Sequence, residues 1–414
     1  MPSIARAQAR THDDGLRGHP GHAMTLDVVL GGVPTAINKA VFTALLDNSV
    51  ASTYAPYARA VEASSIDFTD LVFLARKGDI PYSLFFAPLP VVEAQIKAKT
   101  AKLLNGLTKD TFSVNSRDRV NLSEIELIVK DLLRKQELLK KNDATLTRNK
   151  IVGLLGKPEK TVEEDADRLM RALGLSHDAM RSTSNKKKAL DMLISRLEAN
   201  QVLVSRSVNN FMPQRLTNVK FSGMAIKDTK VPYIFLAGGD QGDYQEPVGR
   251  RIFTLTLLCV LVARKIFAPV TYDGFSTGSD VGREYDIVGA MLMPRSELRT
   301  RDLVSLNEVK SAADDFKVTP SAMTVRAMRL GMVTRDQATT HLEELAREYS
   351  QRSKPKPRQP KPVNAVRSYN GREFSNRMLD ALDSGRISRK DFCRSVCLNH
   401  IKPPQINDFR EALQ

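Results

Sequence analysis

Apolar residues recur at helical spacing through most of this chain, with one stretch of strand-like sequence near the middle. Residues 25–90 read as helical. Asn38–Leu46 places apolar side chains on one face, and Asp67–Arg76 does the same with Asp67 as a plausible N-cap and Gly78 as its stop. Leu122–Lys141 carries a long apolar stripe between charges. Thr161 followed by Glu164 has capping-box form, and the helix it opens ends at Gly174, a natural C′ residue. Asn185–Asn200 is a further helix, opened by three lysines that read as a solvated face. The pattern then changes. Gln201–Arg206, Phe221–Ile226 and Val231–Leu236 read as strands, and Pro232 either marks an edge or stands at a strand start. Ile252–Ala263 is almost wholly apolar but too short to cross a bilayer, so it reads as a buried helix.

Composition narrows the picture. The 414 residues suffice for two to three domains, and 42 % hydrophobic with 26 % charged residues is ordinary for a globular protein. Three cysteines, Cys259, Cys393 and Cys397, argue against a disulfide framework and for a reducing cytoplasm. The first 24 residues lack an apolar core and read as a disordered tail, with His12, His19 and His22 as solvated residues rather than ligands. A net charge of +15 leaves two readings, solubility or contact with nucleic acid or an acidic partner. No membrane partner is expected.

Several phrases carry more than pattern. Leu74–Phe86 reads Leu-Ala-Arg-Lys-Gly-Asp-Ile-Pro-Tyr-Ser-Leu-Phe-Phe. Phe221-Ser-Gly223 is followed by Asp228 and by Pro232–Leu236, then by Arg250–Leu255, and a later segment ends Leu292-Met-Pro294. In this order the phrases resemble the ImmA/IrrE family of metallopeptidases, over about residues 160–335, with Leu74–Phe86 similar to the close of the family's Xre-type helix-turn-helix. The zinc helix of that family reads roughly R-x-F-T-L-A-H-E-L-x-H, with two His ligands at i and i+4 and Glu as general base. Arg251, Phe253, Thr254 and Leu255 match the frame, whereas Leu257, Leu258 and Leu261 fall on the His, Glu and His positions. Leucine offers zinc no lone pair and water no base. The third ligand of the family, a Glu, falls near Arg283 or Glu284; Glu284 is a residual ligand position or an ion-pair residue. The resemblance thus implies the family's fold without its chemistry: no catalytic residue, no metal and no cofactor.

Other chemistries find little support. Gly238–Gly242 lacks the Lys-Ser/Thr of a phosphate loop, and Asp240, Asp243, Asp273 and Asp280 form no known ligand set. Cys259 has no His partner, and Cys393, Cys397 and His400 supply three of the four ligands a structural zinc needs, so the two cysteines read as core residues. The expected fold is α+β, a zincin-like core of helices and a small, mostly antiparallel sheet. The expected organisation is a tail (1–24), a helical, helix-turn-helix-like region (25–90), a helical connector (91–159), a pseudo-peptidase domain (160–350), a Pro/Lys linker (351–365) and a C-terminal helical module (366–414). What the resemblance implies for function is an inactive regulatory or antitoxin-like factor binding a protein partner, a repressor, toxin or other regulator, in a bacterial, phage or mobile-element system. The alternatives are a DNA-binding transcriptional regulator, for which nucleic acid is the partner, and a zinc metallopeptidase or other hydrolase with an unrecognised site.

Overall fold

The computed structural model describes residues 25–104, 106–107, 122–216, 219, 221–238, 246–271, 282–351 and 360–414. The N-terminal tail, Asp240, Asp243, Asp273, Asp280 and most of the Pro/Lys linker lie outside the described residues. The chain forms two compact units that divide between Ile96 and Lys97.

The first unit corrects the all-helical reading of residues 25–90. Strands β1 (Thr25–Leu30) and β2 (Val33–Asn38) form an antiparallel hairpin, and after helices α1 (Lys39–Asp47) and α2 (Ala55–Ala63) the short β3 (Ser65–Asp67) pairs parallel with β1. The reason is local. Leu26 and Val28 alternate with Asp27, and Gly31 and Gly32 take φ of 57° and 82°, the left-handed pair that a two-residue hairpin turn requires. Helix α3 (Phe68–Lys77) starts where expected, but Asp67 makes no side-chain cap bond. Leu26, Val28, Phe42, Leu46, Leu71, Phe85 and, from helix α4 (Leu89–Leu104), Val92 close this core.

The second unit is built on a four-stranded sheet. Its helices before the sheet are α5 (Leu122–Asn142), α6 (Val162–Leu173), α7 (His177–Arg181) and α8 (Lys186–Ala199). Strands β4 (Leu203–Arg206), β5 (Phe221–Ile226) and β6 (Tyr233–Leu236) precede helix α9 (Val248–Ala263), and β7 (Pro269–Thr271) follows it. The order is β4-β6-β5-β7, with β4 parallel to β6 and the other two pairings antiparallel. Pro232 therefore stands at the start of a central strand, where its carbonyl accepts from Leu203 N at 3.0 Å. Then come α10 (Arg283–Leu292), α11 (Arg295–Leu298), α12 (Leu306–Asp315), α13 (Pro320–Arg329), α14 (Arg335–Gln351), α15 (Pro362–Asn370), α16 (Arg372–Asp383), α17 (Arg389–Asp391) and α18 (Ile406–Leu413).

Both faces of this sheet are buried. Alternate residues, Val204, Ala225, Ile234 and Leu236, point into a core made with α6, α8, α9, α10, α12 and α13. Their neighbours, Leu203, Met224, Ile226, Tyr233 and Phe235, point into another made with α5, α15, α16 and α18. The C-terminal helices, expected as a module apart, thus form part of the cover of one sheet face. The strands require this: β5 and β6 are buried along their whole length, so each face must find an apolar layer.

Candidate functional site

Helix α9 is buried around its full circumference from Thr254 to Ala263, which explains why its sequence shows no polar face. It lies close to β5 because position 223 is glycine. A Cβ there would sit 2.5 Å from the Phe235 carbonyl and 2.8 Å from Leu258 Cδ1. Leu257, Leu258 and Leu261 are 0–2 % exposed and belong to the core shared with α6, α8, α10, α12 and α13. Filling these positions with apolar atoms avoids leaving polar groups buried without partners.

Arg283 and Glu284, the two registers for the third-ligand position, both make ion pairs between elements. Glu284, in the first turn of α10, lies with Oε1 3.2 Å from Nε of Arg264, the residue that ends α9. Arg283 donates from Nε to the fully buried Asp165 at 2.9 Å and from Nη2 to the carbonyls of Glu159 and Thr161 at 2.8 and 3.0 Å. Arg283 thereby ties α10 to the start of α6. Among the described residues no three His, Cys, Asp or Glu side chains converge as a metal site. His177 Nε2 lies 3.2 Å from the Ala290 carbonyl, His341 Nε2 lies 2.9 Å from that of Val304, and the His400 ring packs on Phe211. Burial pushes the Cys259 thiol up to about 12, far from a reactive thiolate. Cys393 and Cys397 are buried in the second core, where a π-type turn runs from the Cys397 N–H to the Phe392 carbonyl at 3.1 Å.

Two polar clusters escaped the sequence reading. The first is interior. Lys135 of α5 is fully buried, 3.3 Å from Asp131 and 3.7 Å from the centre of the Tyr369 ring, with Tyr233 and Phe374 also around its ammonium. The Tyr369 hydroxyl donates to Asp131 at 2.5 Å, and the Tyr233 hydroxyl to the Asn370 carbonyl at 2.9 Å. Burial lowers Lys135 to about 8, opposed by Asp131, whose own carboxyl is held low by Lys135 and Arg134 against its burial. This network fastens α15 to α5 and the sheet. The second lies around the start of α9. Ser222 donates to Oε1 of the buried Glu246 at 3.1 Å, and burial raises Glu246 to about 6 although Arg250 and Arg251 oppose it. Arg206, at the end of β4, lies within electrostatic reach of Arg251 and of Arg367 on α15. The contributors come from β4, β5, α9 and α15, so no spacing in the sequence announces them.

Comparison with protein-family models, with curated proteins and with solved structures returned no match. Among the described residues no helix is long and apolar enough to cross a membrane.

Proposed function

We propose that this chain is a pseudo-metallopeptidase of ImmA/IrrE type, with a zincin-like second unit, that acts as a regulatory or antitoxin-like protein-binding factor. The observation that carries this reading is the placement of Leu257, Leu258 and Leu261 on the buried Thr254–Ala263 stretch of α9, at positions where the resemblance puts the zinc ligands and the base. The carboxylate nearest the third-ligand position, Glu284, supports it by pairing with Arg264. A helix so packed serves as scaffold, and function then rests on the surface it supports.

The charge distribution bears on the DNA-reading alternative. Residues 25–96, which include the helix-turn-helix-like phrase, contain four Lys and Arg against seven Asp and Glu. A reader of duplex DNA concentrates cations on the reading unit. The positive excess of this chain lies elsewhere, which favours a protein partner for the first unit.

The test is elemental analysis of purified, untagged protein at known concentration. Zinc well below one per chain is expected. One tightly held zinc per chain would overturn the assignment of Leu257 and Leu261 to the ligand positions, and peptidase assays would then be the next step.

A further inference from the structure

We propose that the outer edge of β2 is a docking site for an extended, basic segment of a partner protein, which adds to the sheet of the first unit as a further strand. The proposal rests on the protein-binding reading of the chain and makes no use of the pseudo-zinc position.

The sheet order β2-β1-β3 leaves β2 at an edge. Exposed edges are normally blunted by charged side chains, bulges or a covering element, because their unpaired N–H and C=O groups recruit other strands. β2 reads Val-Pro-Thr-Ala-Ile-Asn, without a charge, and only Ile37 of it is buried. Its pairing with β1 runs in unbroken register from Leu30↔Val33 to Thr25↔Asn38. Across a two-residue turn Leu30 and Val33 exchange both backbone bonds, and so do Val28 with Thr35 and Leu26 with Ile37. The backbone groups of Pro34, Ala36 and Asn38 therefore face away from β1. Pro34 lacks an N–H, which blunts one position, but its carbonyl and both groups of Ala36 still point outward.

The two faces of the sheet set what the added strand carries. On the core side, Leu30 and Val33 continue the row of Leu26, Val28 and Ile37 past the core and are 61 % and 65 % exposed. The Tyr82–Phe86 turn beside β2 exposes Tyr82 and Phe86. Apolar side chains of an added strand would cover this ledge. On the opposite side Asp27 stands across from Ala36, and Asp67 across from Val29. Neither carboxylate has a hydrogen bond or ion pair among the described residues. Lys39, the cation next to β2, is turned to the Val61 carbonyl and Ser64 Oγ at 3.0 and 2.8 Å. The small Ala36 lets a lysine or arginine on the added strand reach over β2 to Asp27, about 10 Å away at two strand spacings. Side chains alternate between the faces of a strand, so the segment that fits alternates basic with apolar residues. The first unit as a whole is acidic, with four Lys and Arg against seven Asp and Glu over residues 25–96. The same charges disfavour a second β2 as the occupant, since a two-fold pairing would set one acidic unit and its Asp27 against the other.

The test uses the full chain and a capped, fluorescently labelled peptide of alternating lysine and valine, read by anisotropy at physiological ionic strength. A glutamate–valine peptide and a lysine–valine peptide methylated on its lysine amide nitrogens are the comparisons. The lysine amides are chosen because a residue opposite Ala36 shares its face and points its N–H at β2. The variants are Asp27→Lys and Val33→Lys, both at exposed positions, with Glu343→Lys on the exposed side of α14 as the control for charge. Circular dichroism would confirm folding, and the methylated peptide keeps the test decisive if a variant fails to fold. Saturable binding of the lysine–valine peptide is expected, weakened about tenfold or more by Asp27→Lys, by Val33→Lys and by methylation, but little by Glu343→Lys. The glutamate–valine peptide should bind more weakly by a similar factor. No binding of the lysine–valine peptide, equal binding of either comparison peptide, or equal loss in Glu343→Lys would overturn the proposal. So would a dimer in sedimentation velocity that Val33→Lys dissociates, which would make a second copy the occupant. Zinc held by the chain would leave these outcomes unchanged, so a failure here is distinct from a failure of the pseudo-zinc assignment.

Discussion

Replacing Glu198 by glutamine should make the stability of the protein less dependent on pH between 5 and 8. Glu198 lies near the end of α8, buried, and accepts from the backbone N–H groups of Arg372 and Glu373 at 3.1 and 3.3 Å. Burial raises its carboxyl, and the nearby Glu373 adds to this, while Arg206 and the two N–H groups at the start of α16 oppose it. Burial wins, moving the group from the ordinary 4.5 to about 7. Between those values the native state holds a proton that the unfolded chain has released, so stability falls as pH rises through the window, and the full loss is present above pH 7. At 1.36 kcal/mol per unit the loss is about 3 kcal/mol. Glutamine cannot ionise, and it keeps one of the two acceptors, so whatever the offset at pH 5, Glu198→Gln should gain on the wild type by about 2–3 kcal/mol between pH 5 and pH 8. Urea unfolding followed by far-ultraviolet circular dichroism at the two pH values measures the difference, the chain having no tryptophan to report by fluorescence. Glu246, also raised, titrates in both proteins and cancels in the comparison if the two sites are independent. A stability difference between the two proteins that is the same at pH 5 and pH 8 would refute the reasoning, because the carboxyl would then titrate alike in the folded and unfolded chains.

Two further substitutions probe the packing. Leu258→Ala removes a fully buried side chain seated against Gly223 and should cost about 3 kcal/mol, read as a lowered urea midpoint; an unchanged midpoint would mean that α9 is not held in the core. Gly371→Ala places a Cβ at φ 82°, 2.5 Å from both Glu198 Oε1 and the Val204 carbonyl, and should cost about 2 kcal/mol or more in thermal unfolding. A melting temperature equal to the wild type's would show that the α15–α16 corner is not seated on β4 as described.

What could be read from the sequence was what local chemistry decides. Thr161 and Glu164 form the reciprocal capping box, Gly174 ends α6 at φ 67°, and Ser388 accepts from Asp391 N at 3.1 Å. Strand β5 has the bounds its pattern suggested. The hairpin of the first unit is hidden in the sequence because Val28, Val29 and Leu30 fit helical spacing as well as strand spacing, and only the left-handed turn at Gly31 and Gly32 decides between them. The candidate site divides the same way. A single helix presents Leu257, Leu258 and Leu261 together, so their shared environment followed from spacing. The partners of Glu284 and Arg283 lie on other elements, as do the Tyr233, Tyr369 and Phe374 rings around Lys135, and one sequence does not encode such pairings at any fixed offset; only Asp131, four residues before Lys135 on α5, stands at a helical spacing. The second helical layer did leave a trace: Phe221–Ile226 offers no polar face, so one layer of helices could not have sufficed.

The shared core of the sheet and the C-terminal helices also sets an order on biosynthesis. Tyr233 and Phe235 are made long before Tyr369, Phe374 and Phe409, the aromatic residues that help to cover their face of the sheet. During synthesis α5 covers only part of that face, the rest stays wet and adhesive, and the second unit cannot complete its fold until α18 has emerged. A nascent chain paused in the Pro/Lys segment would present an apolar sheet surface to its surroundings, a state in which chaperone capture or aggregation competes with folding.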